Sequence, residues 1–167
     1  MITIIDYGVG NINAFVNVYK RVDVPVKIAK TAADLEGAEK LILPGVGHFD
    51  HAMNQLNNSG MREKLDDLVL NQKIPVIGIC VGMQMMANNS DEGEVEGLKW
   101  IDATVKKFDE TKIHQVTRLP HMGWNDVKPV KDISLFQGLE KEAIFYFLHT
   151  YYFHCNQAQD ILAVSEY

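Results

Sequence analysis

The sequence predicts an α/β fold: an open, mostly parallel sheet with helices on both faces plus a smaller antiparallel portion. Three observations carry that reading. Short apolar, β-branched runs alternate with stretches of helical period in the order β-α-β-β-α-β-α over residues 2–88. Two of those runs, residues 40–43 and 74–79, pass directly into glycine-bearing turns, as strands do at the carboxyl edge of such a sheet, where ligands bind. After Asn89-Ser-Asp-Glu-Gly93 the character changes, and residues 99–108 and 125–130 read as half-exposed, antiparallel strands.

Residues 2–5 form the first strand, ended by Asp6-Tyr-Gly-Val-Gly10-Asn11. Ile12, Phe15, Val16 and Tyr19 then mark one apolar helical face. The Gly8-x-Gly10 turn invites a dinucleotide reading that fails on two counts. Asn13 stands where the third glycine belongs, and Lys30 and Thr31, not an acid, follow the strand at 26–29. The strand at 40–43 runs into Pro44-Gly-Val-Gly47-His-Phe-Asp50. Its two glycines let backbone N–H groups face a ligand, though a plain Gly/Pro loop reads the same way. Helix follows, interrupted at Asn57-Asn-Ser-Gly60 and resumed at Met61, Leu65, Leu68 and Val69. Next comes the buried strand that ends at Cys80-Val-Gly-Met-Gln84, with a helix-compatible segment over 83–88. Leu119-Pro-His-Met-Gly-Trp-Asn125 reads as an apolar loop with a tryptophan at its tip, a candidate partner surface. Residues 143–148 make an aromatic strand ending in His149-Thr-Tyr-Tyr152, and residues 160–164 begin one more.

Bulk properties narrow the function classes. With 167 residues the default is one domain with a real core. A net charge of −6 argues against nucleic acid or an anionic membrane as the main partner. The two cysteines, Cys80 and Cys155, form no disulfide framework, so a reducing cytoplasm is the expected setting. Met1 leads straight into Ile-Thr-Ile-Ile-Asp with no basic segment, so no secretory leader is expected, and no apolar run is long enough to span a bilayer.

Cys80 is the candidate nucleophile. A thiol on a tight strand-to-helix turn stands at the sheet's carboxyl edge, where helix N–H groups lower its pKa and can hold an oxyanion. Gly78 and Gly82 flank it symmetrically and leave room for a cramped backbone. The plainer alternative is a buried cysteine acting as a small hydrophobe. A cysteine acting on an amide also needs an acid/base to protonate the departing nitrogen. Of His48, His51, His114, His121, His149 and His154, His149 at a strand end is the best placed, although a histidine there can equally serve as a local hydrogen-bonding cap. His48-x-x-His51 and His154-Cys155 lack third and fourth ligands at metal-site spacing, so no metal is expected, and no cofactor.

Four motifs together carry a resemblance: Pro44-Gly-Val-Gly47, Gly78-Ile-Cys-Val-Gly-Met-Gln84, Pro120-His-Met-Gly-Trp-Asn125 and Tyr146-Phe-Leu-His-Thr-Tyr151. The chain resembles the class I (triad) glutamine amidotransferases, and within them the branch of glutaminase subunits of imidazole glycerol phosphate synthase, from Ile2 onward. The resemblance implies a flavodoxin-like sheet and hydrolysis of glutamine to glutamate and ammonia. It also implies a heterodimer in which ammonia passes to a barrel-shaped synthase (cyclase) partner. It makes Cys80 the nucleophile and forms the oxyanion site from Val81 together with Val46 and Gly47, after a peptide rearrangement. It assigns the grip on glutamine to Gln84, Glu92, Thr150 and Tyr151, and the partner contact to Asn13, Met122, Trp124 and Tyr146. In this family a His-Pro-Glu motif on a late strand completes the triad. It does not occur in residues 1–167, so the sequence is expected to be a single amidotransferase domain truncated at its C-terminus. Two alternatives stay open: a paralogue supplying ammonia for an amidino sugar of bacterial surface glycans, and a non-catalytic binding scaffold.

Overall fold

The computed structural model describes residues 1–113, 118–132, 134–139 and 143–167; His114 lies outside them. The first half is built as expected. Strand β1 (Ile2–Ile5) is followed by helix α1 (Ile12–Arg21), β2 (Val26–Ala29), β3 (Lys40–Gly45), α2 (Phe49–Asn58), α3 (Arg62–Asp66) and β4 (Val76–Cys80). The four strands form one parallel sheet in the order β2-β1-β3-β4. Asn11 starts α1 by accepting from Ala14 N at 3.2 Å, and Lys20 and Arg21 sit in its last turn, where the helix dipole favours cations. Beyond α3 the helical path widens into a π turn, Asp67–Asn71, so the apolar spacing from Met61 to Val69 does not continue as regular α-helix.

The sheet's two faces are unequally covered. Strand alternation puts Ile5, Leu41, Leu43 and Val76 on one side. There they meet Phe49, Met53 and Leu56 of α2 and Leu65 of α3 in a single core. Burying side chains of this size contributes about 1.5–3 kcal/mol each. The opposite side receives α1, which has no fully buried residue, and Ile77 on β4 is left 50% exposed.

After β4 comes helix α4 (Val81–Gln84). It begins on the residue after Cys80 and ends sooner than the expected 83–88, passing into tighter turns in which Met86 N and Ala87 N donate to Met83 O and Gln84 O. The remaining strands are β5 (Asn89–Ser90), β6 (Ala103–Lys107), β7 (His121–Asp126), β8 (Lys128–Pro129), β9 (Ile144–His149), β10 (Tyr151–Cys155) and β11 (Ala163–Val164). They assemble as β10-β6-β5, an antiparallel β7–β9 ribbon and an antiparallel β8–β11 pair; of these pairings among the described residues, β5–β6 alone is parallel.

Three expectations are corrected here. The stretch 119–125 is not a loop: His121–Asp126 is a strand, and Trp124 stands in its middle. Its pairing with β9 gives the alternating burial of a ribbon, which an apolar and aromatic composition hid. The strand expected at 125–130 therefore belongs partly to β7 and partly to the two-residue β8. The strand expected at 99–108 begins only at Ala103, because residues 97–101 fold back on the elbow helix. Leu98 N donates to Met85 O at 2.7 Å, and Lys99 takes a φ of 59°. Among the described residues no helix is long and apolar enough to cross a membrane.

Candidate active site

Cys80 closes β4 with φ 56° and ψ −122°, a conformation that costs a non-glycine residue about 1–3 kcal/mol and persists only where its surroundings over-determine it. Those surroundings are backbone. Cys80 pairs in register with Gly45 of β3. A Cβ added to Gly45 would fall on Gly82 N, one on Gly82 would fall on Leu43 O, and one on Gly78 would fall on the Met83 backbone. The α4 turn is therefore pressed onto the ends of β3 and β4 with no side chain between. Tyr7 secures the same corner. Its buried hydroxyl donates to Pro44 O at 2.6 Å and faces Met85 Sδ at 3.4 Å, and burial pushes the phenol above its ordinary pKa. The thiol is left exposed, so the buried-hydrophobe reading does not hold.

The glycine loop lies opposite this elbow. Gly45 is wedged, Val46 is half exposed, and Gly47 has φ 80° with open space where a Cβ would be. The Val46–Gly47 peptide is thus held at its start and unencumbered in its middle. His48 then caps α2, its Nδ1 accepting from Asp50 N at 3.2 Å. Glu92 reaches this corner from the β5 side, and its Oε2 accepts from Phe49 N at 2.8 Å. Gln84, only 8% exposed, ends α4 beneath the elbow. Thr150 joins β9 to β10, and Tyr151 opens β10. Thr150 O accepts from Phe108 N at 3.2 Å, and Tyr151 pairs with Lys107, whose N donates to Asp91 beside Glu92 at 3.0 Å. The second sheet therefore links the 150–151 turn to Glu92, and Glu92 to the glycine loop.

His149 is held by local hydrogen bonds. Its Nδ1 faces Tyr151 O at 2.8 Å and its Nε2 faces His121 Nδ1 at 3.0 Å, so both ring nitrogens are engaged. A carbonyl only accepts, which puts the proton of His149 on Nδ1. His121 Nδ1–H then donates to His149 Nε2, and His121 Nε2 accepts from Asn125 Nδ2 at 3.3 Å. His121 is 4% exposed and stacked between Phe147 and Tyr167, at centroid distances of 4.7 and 4.1 Å. Desolvation, with a smaller contribution from His149, holds its pKa below the ordinary value. His48 is spent on the α2 cap, and no third metal donor gathers near His48 and His51 among the described residues.

Comparison with known proteins completes the picture. The family model "Glutamine amidotransferase class-I" matches residues 3–167. The chain belongs to that family. An amidotransferase relative from Bdellovibrio bacteriovorus, "Imidazole glycerol phosphate synthase subunit HisH", is 56% identical over 167 residues, covering all of this chain and 82% of that protein. The subunit of the same name from Leptospira borgpetersenii is 48% identical over the same shares. A solved glutamine amidotransferase superposes with a TM-score of 0.70 at 17% identity, over 97% of this chain and 78% of that one, which shows the fold.

The amidotransferase also presents the surface anticipated around Trp124, on a strand ribbon instead of a loop. Trp124 is 74% exposed and pairs with Tyr146, their rings edge to face at 5.6 Å, while Met122 pairs with Leu148. Ile144 shares that face by alternation, which makes it a continuous apolar strip. Asn13 belongs to a different element, exposed in the first turn of α1. Sequence reasoning missed Tyr7 and Gly45 as supports of the elbow, and Asp50 at the start of α2. For Tyr7 and Gly45 the signal was position at a strand's carboxyl end; for Asp50 it was an acid in a first helical turn.

Proposed function

We propose that this amidotransferase is the glutaminase subunit of an imidazole glycerol phosphate synthase in histidine biosynthesis. In this reading residues 1–167 belong to a single amidotransferase domain that works in the cytoplasm as a heterodimer with a barrel-shaped cyclase subunit. The observation that carries the glutaminase chemistry is the elbow: an exposed thiol held in a strained turn, in register with a glycine loop. Support for the pathway comes from the synthase subunits that are 48–56% identical over the whole chain.

The geometry suits acyl transfer. Cys80 Sγ attacks the side-chain amide carbon of glutamine, and the C=O electron pair moves onto oxygen. The Val81 N–H, joined by the Val46–Gly47 peptide once it turns inward, holds that oxyanion. Collapse of the intermediate expels ammonia, whose nitrogen takes up the proton that the Cys80 thiol gives up, and leaves a glutamyl thioester. Water then hydrolyses the thioester to glutamate and returns the thiol. Gln84, Glu92, Thr150 and Tyr151 orient the amino-acid end, Glu92 through its carboxylate to the substrate ammonium. The apolar strip of Met122, Trp124 and Tyr146 docks the cyclase, with Asn13 on α1 as a further contact, and ammonia passes across that junction.

The test is glutamate release from glutamine with and without the cyclase, comparing a form that carries the family's His-Pro-Glu motif with its Cys80→Ser variant. Partner-stimulated release that Cys80→Ser abolishes, with the cyclase still using free ammonia, is expected. Loss of both activities in Cys80→Ser would make Cys80 a structural residue and sink the mechanism.

A further inference from the structure

The glycine loop is anchored at its far end by a reciprocal clasp that the chemistry above does not use. Glu92 Oε2 accepts from Phe49 N at 2.8 Å, reaching from the 90–95 loop to the start of α2. Asp50 reaches back the other way. Its Oδ2 accepts from Glu94 N and its Oδ1 from Val95 N, each at 3.0 Å. An acid in a first helical turn ordinarily faces its own helix's free N–H groups or solvent; this one spends both oxygens on another segment. Gly93 makes the contact possible, because a Cβ there would fall on the Asp50 carboxylate. The 90–95 loop is fixed on its other side as well. Asp91 N donates to Val105 O at 2.8 Å, and Glu92 N donates to Ser90 Oγ at 3.1 Å.

The geometry points to Asp50 as a positioning residue for glutamine hydrolysis, acting through the Glu94 and Val95 N–H groups to hold Glu92 and the Gly45–His48 loop in one frame. The inference rests on the glutaminase reading. Three charge-assisted hydrogen bonds between carboxylates and backbone N–H groups join two short segments. One carries the group that meets the substrate ammonium; the other continues directly from Gly47. If the clasp opens, the α2 start and Glu92 separate, and the oxyanion peptide loses its alignment with the amide held by Glu92. Asp50 touches neither substrate nor thiol, so its removal acts on the reaction only through that frame.

The experiment uses the complex with the cyclase and compares wild type, Asp50→Ala, Asp50→Asn and Gly93→Ala. Cys80 is labelled with two reagents, read by intact mass: 6-diazo-5-oxo-norleucine, which must occupy the glutamine site, and iodoacetamide, which needs only the thiol. Misplacement of a reacting group on the ångström scale costs roughly 10²-fold, so Asp50→Ala and Gly93→Ala are expected to slow the glutamine analogue, and kcat/KM for glutamine, by about ten- to a hundredfold. The iodoacetamide rate and the cyclase's use of free ammonia should stay at wild-type values. Asp50→Asn should fall between, since its amide oxygen still accepts from one of the two N–H groups. Equal slowing of both reagents, or wild-type glutamine kinetics in Asp50→Ala, would overturn the positioning role. A wild-type complex that iodoacetamide labels but the analogue does not would remove the glutaminase reading itself, and this inference with it.

Discussion

Replacing Cys80 with glycine should make the protein more stable as it removes the proposed nucleophile. The residue holds φ 56° and ψ −122°, which glycine adopts freely and other residues do not. Relief of that strain contributes about 1–3 kcal/mol. Glycine gains more freedom in the unfolded chain, which takes back about 0.4–1 kcal/mol. The side chain is exposed, so little burial is lost, and a net gain of up to about 2.6 kcal/mol remains. For a domain of this size that corresponds to a rise in melting temperature of up to roughly 10 °C. Cys80→Ala is the decisive control, because it removes the same thiol but keeps the Cβ and therefore the strain. Thermal and urea unfolding of the three proteins side by side would show glycine above both alanine and wild type. If alanine and glycine melt together, or glycine melts lower, the elbow stores no strain and the argument from its backbone fails.

Other outcomes follow from particular residues. Trp124→Ala should weaken coupling to the cyclase by 10-fold or more (about 1.4 kcal/mol or above, as for an aromatic anchor) while barely moving the melting temperature, since Trp124 is mostly exposed; a large loss of stability would refute the docking role. Glu92→Ala should raise the KM for glutamine and leave iodoacetamide labelling of Cys80 unchanged. Its lost bond to Phe49 N should also cost about 1 kcal/mol of stability. An unchanged KM would count against its ammonium role. His121 is held neutral by burial, its folded pKa below the ordinary 6.5, so below that pH the unfolded chain binds more protons than the folded one. Its contribution is therefore complete above about pH 6.5 and is lost as the pH falls through the folded value. Melting temperatures measured from pH 7.5 to 5 should drop, and His121→Gln should flatten that slope; a parallel slope in the variant would clear His121 of the effect.

Much of the fold was legible because the first half follows strict periods. The run at residues 2–5, the i, i+3, i+4, i+7 face of α1 and the glycine turns after β3 and β4 each mean one thing locally, and four parallel strands resulted. Only half of the ribbon was legible. Ile144–His149 matches the strand expected at 143–148, whereas Met122, Gly123 and Trp124 made His121–Asp126 read as an apolar loop, and only pairing shows that Trp124 and Tyr146 share a face. His149 stayed open between two roles for a related reason. A strand-end histidine can serve as a base or as a hydrogen-bonded partner, and the ring 3.0 Å away belongs to a residue 28 positions earlier.

What the chain determines by itself is chemistry and local geometry: a cysteine between two glycines at a strand's end, a glycine loop after the neighbouring strand, and the motifs shared with the amidotransferases. Those are short-range features, set by sterics over a few residues. Tertiary structure alone decided the company each group keeps. It set Gly45 beneath Gly82, closed the Asp50–Glu94 clasp 44 residues apart in sequence, and turned His149 toward His121. These contacts depend on how layers pack and strands pair, and a buried donor or acceptor takes whichever partner that packing brings within about 3 Å.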